Sequence, residues 1–321
     1  MPGEAGTERR PGRLGVAYTL FNIRAHARLR GLVYRLSLGP NLIRGKNEEE
    51  TSVAADGYWA IGTTEAGPIG EKIKYFTPGE VPPRSERKRR ADLRKQRQND
   101  NNANRRVARI IHANWPMGRG TLLLLSYSAE GVKRLTGGAD YDAQDPETWD
   151  SVFAAARHQL SLFVQRCRYA CKKQGIALRY LGFTSDLHFD GRAQDYVHTR
   201  IHHHLIVNPE AAELCKRCWR LGGAGDRAMK KTADHTDLAC YLMDQCRRID
   251  ERKKYVPARN LRKPLERTPR VSCSSREVQP PKGAILLYRS PFEVGRPQYI
   301  RYILPKWTKA GQEEDDDGQA S

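Results

Sequence analysis

The sequence predicts an α+β fold built round a central antiparallel sheet, and three observations point to it. Apolar, β-branched segments alternate with amphipathic stretches in the order strand, helix, strand, strand, helix, helix. The second and third strands are joined by a polar loop carrying Asp190-Gly191, which suits antiparallel neighbours. The helical stretches each show one apolar stripe. Such a sheet has helices on one face and leaves the other open for a site.

Residues 1–80 are a poorly defined N-terminal segment. Residues 1–15 read as disordered, and short apolar pieces follow at 16–21, 32–38 and 58–61. They suit either a small accessory unit or an extension of the main sheet. Residues 81–118 form a basic helical arm with Arg84, Arg87, Lys88, Arg89, Arg90, Arg94, Lys95, Arg97, Arg105, Arg106 and Arg109. Its C-terminal part has helical apolar spacing at Ala103, Val107, Ile110 and Ile111. Cations this dense contact phosphate when nucleic acid is bound.

Residues 121–127 read as a buried central strand. In the helix that follows, Asp145 suits the N-cap, Pro146 the first position and Gly175 the stop. Its stripe of Trp149, Val152, Phe153, Ala156, Leu160, Phe163, Val164 and Cys167 is core. Residues 176–183 and 200–207 are the next two strands. A helix opened by Asn208-Pro209 follows, then Gly222-Gly223, then a helix over about residues 237–249 that buries Leu238, Leu242, Cys246 and Ile249. Residues 266–310 are a C-terminal extension with strand-like stretches at 284–288 and 299–304, and residues 311–321 are an acidic tail.

The 321-residue chain carries a net charge of +19 and a pI near 9.8, which favours a polyanionic partner, nucleic acid first. The longest apolar run, Leu122 to Leu125, is too short to span a bilayer, and neither an amphipathic anchor nor a signal peptide is present. The expected location is the cytoplasm, with no membrane partner. Seven cysteines do not suggest a disulfide framework there. Cys215-x-x-Cys218, with Cys240 and Cys246 downstream, has zinc-site spacing. Cys215 and Cys218 read better as the apolar face of their helix, with Ala211 and Leu214.

The sharpest signal is Arg200-Ile201-His202-His203-His204-Leu205-Ile206-Val207. Side chains alternate along a strand, so His202, His204 and Ile206 share one face and Ile201, His203, Leu205 and Val207 the other. Two imidazoles roughly 7 Å apart at Cα can close on one divalent ion. A hard ion adds an oxygen ligand. Asp186, at the end of the preceding strand, is the first choice. His188 and His198 are alternatives, and Asp190 belongs to the turn. Tyr241 lies beside the buried face of its helix. A tyrosine hydroxyl can attack a phosphodiester whose oxygens a metal polarises.

Three blocks in order carry a family resemblance. Residues 102–115 with 121–127 resemble a basic helix leading into a first strand motif. Residues 200–207 are similar to a histidine–hydrophobic–histidine motif with His203 in the middle. Residues 238–245, followed by Ala258-Arg259-Asn260-Leu261-Arg262-Lys263-Pro264, resemble a tyrosine helix and the basic segment after it. Together they resemble the rolling-circle replication initiators of bacterial plasmids and phages, members of the HUH endonuclease superfamily.

The resemblance implies a ferredoxin-like or RNA-recognition-like sheet in a nuclease domain over residues 119–265. It also implies cleavage of single-stranded DNA at a replication origin, leaving a 3′ hydroxyl and a 5′ phosphotyrosine. By position, His202 and His204 hold Mg2+ or Mn2+ and Tyr241 is the nucleophile. A host helicase is the candidate protein partner. Single-tyrosine members commonly carry a lysine three residues after the tyrosine; here it is Asp244. Arg248, nearly back on the same helical flank, is the candidate replacement. Asp244 turned toward the metal, or weak or lost nicking, are the alternatives. Three further readings stay open: a single-tyrosine transposase or relaxase, a non-catalytic nucleic-acid-binding protein, and a zinc hydrolase.

If the arm binds phosphates, affinity for single strands falls with salt at a log–log slope of roughly −0.7 per contact. Neutralising Lys88, Arg89 and Arg90 together flattens that slope in a binding titration; an unchanged slope removes the arm from the interface.

Overall fold

The computed structural model describes residues 57–78, 93–138, 146–246 and 254–308. The segments expected before residue 57, the arm residues Arg84, Arg87, Lys88, Arg89 and Arg90, the Asp145 cap, Arg248 and the acidic tail lie outside the described residues.

The elements run β1 (Gly57–Ala66), β2 (Ile69–Pro78), α1 (Leu93–Asn114), β3 (Thr121–Ser126), α2 (Ala129–Thr136), α3 (Pro146–Lys173), β4 (Tyr180–Asp190), β5 (Asp195–Val207), α4 (Pro209–Cys218), β6 (Ala224–Ala228), α5 (Thr236–Asp244), β7 (Tyr255–Pro257), β8 (Leu265–Ser272), β9 (Ile285–Arg289), β10 (Gln298–Ile303) and a one-turn α6 (Pro305–Thr308). The class is α+β, as the element order predicts, but there are two five-stranded sheets rather than one. Their orders are β6-β3-β5-β4-β7 and β8-β1-β2-β10-β9, and every pairing is antiparallel.

The histidine strand β5 is the middle strand of its sheet. Its apolar face forms because β3 buries Leu123 and Leu125 beside Leu205 and His203, its partners in the ladder. The α3 stripe of Val152, Phe153, Ala156, Leu160, Phe163, Val164 and Cys167 is buried along the whole helix, as its 3–4 spacing requires. Leu160 reaches the Gly182 position, and Phe163 packs edge-on against Trp219 at the end of α4. The covering of the sheet differs from the expectation. Helices α3 and α4 take the His203 side, and the end of α5 comes over the His202/His204 side, burying His204 and leaving His202 partly exposed.

The second sheet brings residues 57–78 together with the extension after residue 265. Its strands pack through α1 onto the histidine sheet. The Arg109 guanidinium of α1 binds Glu71 of β2 at 2.7 Å, and Arg301 of β10 reaches Asp234 and Thr236 at the start of α5, at 3.1 and 2.8 Å. The β1–β2 turn needs Gly67, at φ 55°, because a Cβ there would stand 2.0 Å from the carbonyl oxygen of His112. Among the described residues no helix is long and apolar enough to cross a membrane.

Glu71 is 4% exposed, so its loss strands a largely buried guanidinium. Glu71→Ala is expected to cost about 3 kcal/mol in urea unfolding, whereas Arg134→Ala, at an exposed i,i+4 pair, costs under about 0.5 kcal/mol. Equal costs would mean the two sheets do not lean on this contact.

Candidate functional site

The two-residue period of β5 sends His202 and His204 to the same side, and their rings lean together. The Nε2 atoms are 3.2 Å apart and the ring planes stand at 85°. His202 Nδ1 lies 3.0 Å from the Arg200 carbonyl, a contact only an Nδ1–H can make, so the Nε2 of that ring carries a lone pair. Gln245, which caps α5, aims its Oε1 at both rings, 2.8 Å from His204 Nε2 and 3.3 Å from His202 Nε2. The Ser185 hydroxyl of β4 donates to the Gln245 carbonyl at 2.5 Å and pins the helix end over the strand.

Tyr241 precedes Gln245 by four residues, one helical turn, and so shares its flank. Its ring stands 6.1 Å from that of His204. Burial pushes the phenol pKa above its ordinary value, while a hydrogen bond to Gln245 and the charge of Arg227 pull it back. Arg227 comes from β6, where it pairs with Leu122; Leu122 in turn pairs with Ile206, on the face of His204.

His203 faces the other way, held between the Tyr127 hydroxyl at 2.7 Å and the Thr184 hydroxyl at 2.9 Å, with Trp219 edge-on at 5.6 Å. Burial, with the neighbouring His202 adding to it, pushes the His203 and His204 pKa values down to about 3. Burial also lowers that of His202. All three imidazoles are neutral at neutral pH, the form that ligates a metal.

Of the predicted site residues, His202, His204 and Tyr241 come together. Asp186 is not in hydrogen-bond contact with the two rings, although its charge acts on His202. Its carboxylate accepts a 2.7 Å bond from the Trp149 indole of α3, the helix on the opposite face, where β4 and β5 lose register between Ser185 and Leu187. The oxygen beside the two rings is that of Gln245, which the sequence reading missed. Its signal was the i+4 spacing from Tyr241. His188 lies further along β4, paired with Val197, and His198 pairs with Leu187. Arg106 is exposed on α1, whereas Arg105 bonds Asn102 and stacks over Tyr299 at 5.3 Å. Arg227, on β6 just after Gly222-Gly223, puts its charge on Tyr241; the sequence reading did not single it out. Among the described residues no three His, Cys, Asp or Glu side chains stand in a metal-holding set, and the oxygen nearest the two rings is the Gln245 amide. No family model, curated protein or solved structure matches this chain.

The lowered histidine pKa values set a pH dependence. The unfolded chain binds protons on these rings below about pH 6.5 and the folded chain does not, so their contribution is complete above that pH and is lost as pH falls toward 3. Urea midpoints are expected to hold steady from pH 8 to 7. They then decline, the unfolding free energy falling with a slope approaching about 1.4 kcal/mol per pH unit for each ring. A flat profile down to pH 5 would show that the rings accept protons in the folded state.

Proposed function

We propose that this chain is a metal-dependent, site-specific single-stranded DNA endonuclease of the HUH type, initiating rolling-circle replication through a 5′-phosphotyrosine. The observation that carries the reading is the convergence of His202 Nε2, His204 Nε2 and Gln245 Oε1, with Tyr241 one turn away on the same helix. The central position of β5 in a five-stranded antiparallel sheet supports the ferredoxin-like fold that the resemblance implies.

The residues fit a divalent ion. Three acceptor-rich atoms facing one point repel unless a proton or cation lies among them, and both rings are neutral. His202, His204 and Gln245 would hold Mg2+ or Mn2+, which supplies charge stabilisation at a phosphodiester oxygen. Tyr241 Oη, its proton passed to solvent, forms a bond to phosphorus. The bond from phosphorus to the 3′ oxygen breaks, its electron pair leaves with that oxygen, and a proton completes the 3′ hydroxyl. Arg227 favours the phenolate that this step needs. Arg105, Arg106 and the rest of the basic arm, with Arg248, supply phosphate contacts. The reading makes single-stranded origin DNA the substrate, a host helicase the candidate partner and the cytoplasm the place of action.

Asp244, in the position of the usual lysine, favours one rival: a non-catalytic nucleic-acid-binding protein with Tyr241 structural. The test is a denaturing gel after incubation with a single-stranded DNA pool and Mn2+. A protease-sensitive covalent band is expected, lost in Tyr241→Phe and in His202→Ala/His204→Ala. Gln245→Ala should raise half-saturating Mn2+ at least roughly tenfold. Arg227→Gln should slow adduct formation about tenfold and move its pH profile upward. A band that survives Tyr241→Phe moves the nucleophile elsewhere. No band with DNA that binds tightly establishes the rival.

A further inference from the structure

Beside its buried stripe, the C-terminal half of α3 carries a second, polar one. Gln165, Arg168, Tyr169 and Lys172 follow the i, i+3, i+4, i+7 spacing of one helical flank, set off from the buried Val164, Cys167 and Cys171. This flank walls a surface groove of about 590 Å³. The other wall is the stretch 175–178, where the chain leaves the helix, together with Asn260, whose Nδ2 donates to the Leu178 carbonyl at 3.1 Å. Arg168 and Lys172 are exposed. Tyr169 is 64% exposed, with Lys173 Nζ 4.7 Å from its ring centre. The lining carries no Asp or Glu, and neither does the whole stretch of residues 151–185. Arg259, Arg262 and Lys263, on either side of Asn260, are exposed too. The Arg262 N–H donates to Asn114 Oδ1 at the end of α1, so cations run from the groove toward the basic arm.

We infer that this groove binds single-stranded nucleic acid, as a second site apart from the candidate nicking centre. Helix α3 lies on the His203 side of the sheet, and Tyr180, where β4 begins beside the groove, pairs with Val207, three residues beyond His204. The groove is therefore on the face opposite Tyr241 and about 10 Å further along β5. Helix-end electrostatics explain part of its charge, since Lys172 and Lys173 in the last turn offset the helix dipole. That effect fades beyond the final turn, so it does not explain Arg168, and it gives no reason to leave a tyrosine ring in solvent. A single strand asks for both features at once: cations for its backbone and an aromatic ring on which a base stacks. Lys173 steadies the Tyr169 ring by cation–π attraction. A small anion would use the cations alone, and a duplex keeps its bases stacked inside, away from such a ring. The groove does not depend on the proposed nicking: it holds a strand whether or not Tyr241 cleaves one.

The test is fluorescence anisotropy of fluorescein-labelled oligothymidylate with the full Tyr241→Phe chain as parent, without divalent metal. Tyr169→Ala in that parent should weaken binding at least about fivefold, and Tyr169→Phe should bind as the parent does, because stacking needs the ring and not the hydroxyl. Arg168→Gln/Lys172→Gln should flatten the log–log salt slope by roughly 1.4, the share of two single-strand phosphate contacts. These side chains are exposed, so the variants should keep the parent's urea midpoint. Photo-crosslinking of a 5-iodouracil oligonucleotide to the unsubstituted chain should place the adduct on the peptide that carries Tyr169. A chain that does not bind oligothymidylate, or binding and slope unchanged in both Tyr169→Ala and Arg168→Gln/Lys172→Gln, overturns the inference. So does a slope that falls while Tyr169→Ala binds as the parent, which marks a polyanion site without base stacking. Binding through Tyr169 by a chain that never forms a covalent DNA adduct keeps the groove and refutes the nicking enzyme, so the two readings fail separately.

Discussion

Everything near the candidate site follows from burying three consecutive imidazoles in the middle of a sheet. A buried ring is held neutral, and each of its nitrogens then needs a partner of the right kind. His203 meets this demand with two hydroxyls, from Tyr127 and Thr184, and an aromatic wall of Trp219. His202 and His204 meet it only in part. Their outward nitrogens face each other and a single amide oxygen, and His204 Nδ1 and Gln245 Nε2 have no hydrogen-bond partner. One strand thus carries a satisfied imidazole on its back and an under-satisfied pair on its front.

The front pair matters only because α5 is held against it, and that restraint comes from outside the histidine sheet. Asp234, just before α5, accepts from the Thr236 N–H and hydroxyl and pairs with Arg301 of the second sheet. The His112 ring of α1 accepts from the His235 N–H at 2.8 Å. The nearby His112 and Arg301 hold the Asp234 carboxyl well below the usual range despite its burial. The start of α5 is thus fixed by β10 and α1, and its end by Ser185 of β4. The second sheet thereby acts as a buttress that sets where Tyr241 and Gln245 can stand.

The legible parts of this architecture were those with local periodicity. The Thr121–Ser126 strand, the α3 stripe, the β5 alternation and the helix opened by Asn208-Pro209 each announce themselves within a dozen residues. The second sheet did not, because the β1–β2 hairpin finds its outer partners β8 and β10 only after the whole histidine domain has been threaded, and local pattern cannot report such pairing. Within the site, His202, His204 and Tyr241 were readable from spacing. Asp186 was not, because the change of register beside it is tertiary detail that strand alternation ignores. Gln245 was overlooked for a chemical reason: a search for a carboxylate passes over an amide.

The identity of that third donor bears on how the proposed reaction is driven. A carboxylate would offset half the charge of a divalent ion and would itself repel an approaching phosphodiester. Two neutral imidazoles and an amide leave the charge undiminished toward phosphate, and a chain of net charge +19 adds a favourable field for a polyanion. The cost falls on affinity, since a neutral donor set binds a hard ion less firmly than one with a carboxylate, and imidazole suits the more nitrogen-tolerant Mn2+ better than Mg2+. Asp244, three residues after the tyrosine, stands where the family that the sequence resembles commonly carries a lysine, while the charge of Arg227 lowers the Tyr241 pKa against the burial that raises it. In the proposed reading, the balance between burial, which holds the proton on Tyr241, and the positive charge of Arg227, which draws it off, sets how readily Tyr241 gives up its proton.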